Sequence, residues 1–390
     1  MMGNCYLIVI DGLGVGAQED AADYGDEGEN TLGHLCEATG CKLPNMQRMG
    51  LGNIVPLTSV PMIEDPICAY GKMQERSAGK DSTTGHWELA GIQLGRPFPT
   101  YPEGFPKEVI NSFCGGIGKE KVLVNKPYSG TQVINDYGEE HLDTTYPIVY
   151  TSADSVFQVA AHVDVTPVDE LYDWCEFARN QVLTEDHGVG RVIARPFKGE
   201  AGSFERISEK RHDFSISPPD YNLLGRLKEE GINTYSIGKV VDLFAEEYFT
   251  QFRRTKHNAE GISQLLSLMS AVSDSFVFVN LIDTDQMYGH RQDPSGYAEC
   301  LQEIDRAIPA IISKLEEDDL LIITSDHGND PTSNSTDHSR EYVPVLLFPG
   351  SKAAQVNLGT RQTFSDVACT VASYFGIPAE FSGKSMLEKA

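Results

Sequence analysis

Residues 79–88, GKDSTTGHWE, set three hydroxyls in a row, Ser82, Thr83 and Thr84, between glycines and beside Lys80, Asp81 and His86. Further along the chain, IDTDQMYGH carries Asp285 and His290, SDHGND carries Asp326 and His327, and STDHSREY carries His338. Asp11 closes the run CYLIVID, which brings the set to three Asp and three His, placed beside the ends of apolar runs. Carboxylates favour Mg²⁺ or Mn²⁺, and imidazoles favour Mn²⁺ or Zn²⁺. Six such ligands exceed one tetrahedral shell. They suit two divalent ions about 3.5–4 Å apart, a pair able to clamp a phosphoryl group and ionise a hydroxyl between them. A single Asp at a strand end is commonly a cap or turn residue. DHGND after one buried run, together with TDHSREYVP before the next, is far more specific. Asp283, Asp330 and Asp337 sit beside these residues and read as turn residues or supports for the ligands.

A free Ser or Thr hydroxyl is a weak nucleophile near neutral pH, but metal coordination makes it an alkoxide. The glycine-flanked segment 79–88 would let a short side chain approach a metal pair closely. It is not a phosphate-binding P-loop, because Gln74 stands where glycine is required and Asp81 separates Lys80 from the first hydroxyl. VIDGLGVGA matches the dinucleotide pattern G-x-G-x-x-A, but the acidic, glycine-broken QEDAADYGDEGENT follows it, with no second strand. His86 reads either as a base beside the hydroxyls or as packing next to Trp87. Spacing alone leaves the three hydroxyls equivalent.

The elements that must carry these groups are legible as apolar runs. CYLIVID, SFVFVNLID, LLIITSD, YVPVLLF and the shorter INTYSIGK alternate with helical patterns over residues 218–230, 258–273 and 296–316, the last with a kink expected at Pro309. Continuous apolar strands between helices predict an α/β fold with a mostly parallel sheet flanked by helices, and ligands at the carboxyl ends of the strands. From about residue 98 to 217 the text changes to glycine, proline and aromatics. The Pro-rich stretches GRPFPTYPEGFP and DFSISPPD bound it. Residues 1–98 and 218–390 are therefore expected to form a discontinuous metal-binding catalytic core, with 99–217 as an inserted, smaller α+β cap that binds substrate.

The chain of 390 residues carries 31 basic and 57 acidic residues, a formal charge of −26. That balance argues against nucleic acid or an anionic membrane as partner. An anionic substrate must then be attracted locally, and Arg191, Arg195, Arg206, Lys210 and Arg211 form the densest basic cluster. No apolar window is long enough for a membrane span. The start of the chain lacks the basic region of a signal peptide, and the eight cysteines include no C-x-x-C pair. These features predict reduced thiols and a cytoplasmic location.

With these motifs in order along nearly the whole chain, among them GDEGENTLGHL, PNMQRMGLGNI, GKDSTTGHWELAG, IVYTSADSVFQVAAH, GRVIARPFKGE, FVNLIDTDQMYGHRQDP and TDHSREYVPVL, the sequence resembles the bacterial-type phosphopentomutases of the alkaline phosphatase superfamily. The resemblance implies an alkaline-phosphatase-like core with an inserted cap. It places Asp11, Ser82, Asp326 and His327 around one metal and Asp285, His290 and His338 around the other, with Mn²⁺ as the expected ion. The phosphorylated residue of the family, usually threonine in GKDTxTGHW, falls on Ser82, and Thr84 is the remaining alternative. The implied reaction interconverts ribose 1-phosphate and ribose 5-phosphate, and the 2-deoxy sugars, through a bisphosphate intermediate. Glucose 1,6-bisphosphate or ribose 1,5-bisphosphate would serve as activator. Arg191 and Arg206 would hold the distal phosphate, with Ser152, Asp154 and Lys239 near the sugar hydroxyls. The partner is a small sugar phosphate, and a monomer or weak oligomer is expected. The alternative is a cofactor-independent phosphoglycerate mutase or a phosphohydrolase of the same superfamily, which the cap motifs disfavour.

Overall fold

The computed structural model describes residues 3–152, 155–350, 355–378 and 380–387. Its contacts divide the chain into two compact units, Met1–Pro97 with Pro218–Ala390, and Phe98–Ser217. The first unit begins with β1 (Cys5–Ile10) and β2 (Ala69–Met73). The second holds β3 (Leu123–Pro127), β4 (Ile148–Thr151), β5 (Val156–His162), β6 (Arg191–Lys198), β7 (Glu205–Arg206) and β8 (His212–Ser215). The first unit resumes with β9 (Asn233–Ile237), β10 (Gln251–Arg253), β11 (Ser275–Leu281), β12 (Leu320–Thr324), β13 (Val343–Pro349) and β14 (Asn357–Arg361).

The larger sheet runs β10-β9-β11-β1-β12-β13-β2-β14. It is parallel from β10 to β12, and β13 is antiparallel to both neighbours. YVPVLLF thus forms the expected strand in the reverse sense. It follows β12 through a loop with no crossover helix, which an antiparallel neighbour permits and a parallel one does not. Apolar residues fill both faces. Tyr6, Ile8 and Ile10 join Val277, Val279, Leu321 and Ile323 in one cluster. Leu7, Val9, Phe276, Phe278, Leu320 and Ile322, on the alternate positions, are equally buried.

Helices Thr31–Thr39, Asn258–Met269 and Pro294–Ile312 contribute Leu35, Leu268 and Leu301 to the first cluster. The last helix continues through Pro309. The segment expected as a helix over 218–230 is shorter, Leu223–Glu229, because Asn222 caps it by accepting from Gly225 N and the prolines before it stay outside. In the second unit, the six-stranded sheet packs Phe157 and Val159 on one face and Tyr150 and Phe197 on the other. Among the described residues, no helix is long and apolar enough to cross a membrane.

Candidate active site

Ser82 is not on an open loop. It is the first residue of helix Ser82–Leu89, whose N-cap Asp81 accepts from Thr83 N and Thr84 N. The cap separates the three hydroxyls that spacing left equivalent. Thr84 is fully buried and donates its hydroxyl to Asp81 Oδ2 at 2.5 Å. Thr83 is buried as well. Ser82 Oγ, partly exposed, lies 3.0 Å from His327 Nε2 and accepts from Lys239 Nζ at 2.9 Å.

Two glycines make this approach possible. A Cβ on Gly85 would stand 2.1 Å from the carbonyl oxygen of Asp326, so only glycine lets the helix lie against the end of β12. Gly79, at φ +151°, turns the chain where a Cβ would meet Thr84 Oγ1 at 2.8 Å.

The strand-end residues converge as two sets. Asp11, Asp326 and His327 form one, and Asp285, His327 and His338 the other, with the candidate ligand atoms of each set within 4.8 Å of one another and every residue buried. His290 Nε2 stands 3.3 Å from Asp285 Oδ2 and 3.1 Å from His338 Nε2. His290 Nδ1 donates to Thr336 O and His327 Nδ1 to Gly328 O, so in the neutral imidazoles Nε2 is the bare nitrogen facing the carboxylates. Among the described residues, Asp11 Oδ1 is buried without a hydrogen-bond partner, and Asp326 Oδ2 is buried with only the His86 and His327 ring nitrogens, at 3.0 and 3.3 Å, near it. Carboxylate oxygens left open beside bare imidazole nitrogens fit divalent cations, with the Lys239 ammonium as the side-chain cation next to them.

Electrostatics follow from this crowding. Burial raises the Asp11 pKa, and the neighbouring Asp326 carboxylate adds to the shift. Burial acts in the same sense on Asp285, but His338 and the His290 contact outweigh it and hold the carboxyl well below the usual range. Burial would lower Lys239, yet Asp11, Asp326 and Asp285 more than offset it, so the ammonium pKa is raised.

Lys239 was expected near sugar hydroxyls. The structure places its Nζ 2.7 Å from Asp11 Oδ2, bridging that carboxylate to Ser82. It follows the end of β9, beside β11, so its stem starts at the same sheet edge as the aspartates. His86 is not a base for Ser82: its Nδ1 donates to the Ser82 carbonyl and lies 3.0 Å from Asp326 Oδ2. Its Nε2 accepts from Asn280 Nδ2, which also donates to Asp11 Oδ2. Asn329 Nδ2 donates to Asp285 Oδ1. Sequence reasoning passed over both asparagines, although Asn280 is a buried polar residue inside the apolar run of β11, itself a signal. Asp283 accepts from Asn258 N, Asp330 pairs with His34, and Asp337 lies near Lys80, so none of the three enters either ligand set.

In the second unit a cavity of about 310 Å³ is lined by Ser152, Arg191, Arg195, Arg206 and Arg211, with Tyr128 among its other walls. Lys210 is exposed, and its backbone carbonyl accepts from Tyr172 OH. Arg211 is bidentate on Asp213, and Arg191 Nη1 is 3.6 Å from the same carboxylate. Arg195 Nε and the buried Tyr150 hydroxyl have no hydrogen-bond partner among the described residues. A Cβ on Gly130 would come within 2.8 Å of that hydroxyl, so glycine keeps this wall open. Four guanidiniums lining one cavity suit an anion with several acceptor oxygens. Asp154 lies outside the described residues.

The family model described as Metalloenzyme superfamily matches residues 3–379. The chain is 53% identical over 389 residues to the phosphopentomutase of Caldanaerobacter subterraneus subsp. tengcongensis, covering all of this chain (100%) and 98% of that one. It is 51% identical over 387 residues to the phosphopentomutase of Dictyoglomus thermophilum, covering 99% and 98%. Among solved structures, the PH0037 protein from Pyrococcus horikoshii shares the fold at a TM-score of 0.51 and 15% identity, over 98% of this chain and 99% of that one.

Proposed function

The chain belongs to the phosphopentomutases, within the metalloenzyme superfamily, and from that premise we propose that this isomerase works through a phosphorylated Ser82. The substrates are ribose 1-phosphate and ribose 5-phosphate and their 2-deoxy equivalents. Phosphorylated Ser82 gives its phosphoryl group to the free hydroxyl of the sugar phosphate: the new P–O bond forms as the Oγ–P bond breaks, and the hydroxyl proton passes, in net terms, to the departing Ser82 Oγ. The resulting bisphosphate reorients and returns its other phosphate to Ser82 Oγ. A sugar bisphosphate such as glucose 1,6-bisphosphate or ribose 1,5-bisphosphate would prime the resting protein.

Asp11, Ser82, Asp326 and His327 would hold one divalent ion, and Asp285, His290 and His338 the other. Mn²⁺ suits this mixture of carboxylate and imidazole. When bound, such ions supply Lewis acidity and charge neutralisation at the transferring phosphoryl group. Lys239 holds a positive charge beside Ser82 Oγ throughout. Arg191 and Arg206 take the distal phosphate, Arg195 offers a further donor in the same cavity, and Ser152 and Asp154 are assigned to the sugar hydroxyls.

The observation that carries the Ser82 assignment is the division of labour in its helix: Thr84 spends its hydroxyl on the cap, while Ser82 Oγ faces His327 and Lys239. The test is intact-mass analysis after incubation with glucose 1,6-bisphosphate and Mn²⁺. The wild type should gain one phosphate and Ser82→Ala none. Equal labelling of the variant would overturn the assignment. Inorganic phosphate released from ribose 1-phosphate without ribose 5-phosphate would make the enzyme a hydrolase instead.

A further inference from the structure

Two residues beyond His338, Arg340 is buried at 2% exposure and is among the most heavily bonded side chains of the described core. Its Nη1 donates to Glu75 Oε2 at 2.9 Å and to the carbonyls of Ser77 and Gly79 at 2.8 and 2.7 Å. Nη2 donates to Asp20 Oδ2 and to Glu75 O, both at 2.9 Å, and Nε to the Asp20 carboxylate at 3.2 Å. The guanidinium lies over the ring of Tyr24, 4.8 Å from its centroid, and the Tyr24 hydroxyl accepts from Gly79 N. The backbone joins in as well: Arg340 N donates to Asp26 Oδ2, and Asp26 also receives Lys80 Nζ. One residue therefore grips the chain from 75 to 80, immediately before Asp81 and Ser82, and is itself fastened to the loop of His338.

Stability alone does not call for this arrangement. Desolvating a guanidinium and the Glu75 carboxylate costs several kcal/mol per ion, and an apolar cluster of similar volume commonly does as well or better. The planar fork supplies five donors in fixed directions, which a lysine ammonium cannot reproduce. We propose that Arg340 is a positioning residue of the phosphoryl transfer, fixing the 75–80 segment to the His338 loop so that Ser82 Oγ is held in register with the Asp and His cluster. This rests on Ser82 as the phosphorylated group. It adds a cause for that group's placement outside its own helix.

The test compares Arg340→Lys and the milder Asp20→Asn with Arg361→Lys. Arg361 is another buried arginine, whose Nε pairs with Asp366 and whose Nη2 donates to Lys384 O. For each, the unfolding midpoint, the phosphorylation rate with glucose 1,6-bisphosphate at saturating Mn²⁺, and kcat and KM for ribose 5-phosphate are measured. Displacing a nucleophile by about 1 Å can cost ~100-fold, so Arg340→Lys should lower both kcat and the phosphorylation rate by about that factor while KM stays within about threefold. Asp20→Asn should fall about tenfold, consistent with loss of one charge-assisted bond. Arg361→Lys should lower the unfolding midpoint with kcat held within about twofold.

Full kcat in Arg340→Lys or in Asp20→Asn, or losses in all three variants that track their unfolding midpoints, would overturn the proposal. If the wild type itself took no phosphate, the Ser82 assignment and with it this proposal would fall, whereas a phosphorylated wild type with an unimpaired Arg340→Lys would overturn this proposal alone.

Discussion

Replacing Lys239 by methionine removes a charge and keeps much of the stem. Nζ lies 2.9 Å from Ser82 Oγ and 2.7 Å from Asp11 Oδ2. A unit charge about 4 Å from an anion at an effective dielectric near 20 is worth ~4 kcal/mol. Charge developing on a transferring phosphoryl group is partial, so the loss should match that of a single oxyanion donor, about 2.7–4 kcal/mol or ~100–1000-fold in kcat. KM should stay within about threefold, because Lys239 does not line the arginine cavity. In the metal-free protein the carboxylates around Lys239 raise its pKa and keep it a cation. Initial rates of ribose 5-phosphate formation from ribose 1-phosphate, over a Mn²⁺ titration, supply the measurement. A kcat within threefold of wild type would refute the reasoning. So would recovery of the rate at high Mn²⁺, which would mean that Lys239 serves only to fill a metal's place beside Asp11.

Two further outcomes follow from buried polar groups. Thr84→Val deletes the bond to Asp81, worth about 1.5–3 kcal/mol for a charged acceptor, and should lower the urea midpoint while leaving the phosphoenzyme intact by mass. A variant that fails to phosphorylate while Ser82→Ala still does would transfer the nucleophile to Thr84. Glu341 accepts from Gly16 N, Thr31 N, Thr31 Oγ1 and Ser339 Oγ, yet burial pushes its carboxyl from 4.5 up to about 7. The folded state then binds the proton more tightly than the unfolded one. Unfolding free energy should fall as pH rises from 4.5 through about 7, by up to ~3 kcal/mol from this residue, and the slope should shrink in Glu341→Gln. An unchanged slope in metal-free protein, followed by urea unfolding at pH 5 and pH 8, would refute the assignment.

Much of the core was legible because burial on both faces writes itself as unbroken apolar runs: CYLIVI, SFVFVNL and LLIIT became β1, β11 and β12 at the centre of the sheet. Asp11 and Asp326 stand out for the same reason, as carboxylates directly after such runs. β2, with its sequence AYGKM, and β14, with NLGTR, lie toward one edge of the sheet and carry no such run, so composition gave little notice of them. The separation of Ser82 from Thr84 depends on a cap bond and on a helix start that propensity does not mark in a row of β-branched and small residues. Lys239 and Arg340 are charged residues whose burial is decided by partners more than 150 positions away, Ser82 for the first and Glu75 for the second. Nothing local distinguishes such a residue from a solvated one.

β1 pairs along its length with β11 and β12, Cys5 standing opposite Phe276 on one side and Leu320 on the other. On a ribosome the first strand therefore emerges long before either of its neighbours exists. The contiguous unit Phe98–Ser217 contains all six strands of its own sheet and can form while β1 is still unpaired. The larger sheet must wait until residue 320 and beyond have been synthesised. Asp11 acquires Asp326 and His327 only at that late stage, so the metal sites are assembled at the end of folding, and the nascent chain offers divalent ions no preformed cage before its final strands close the sheet.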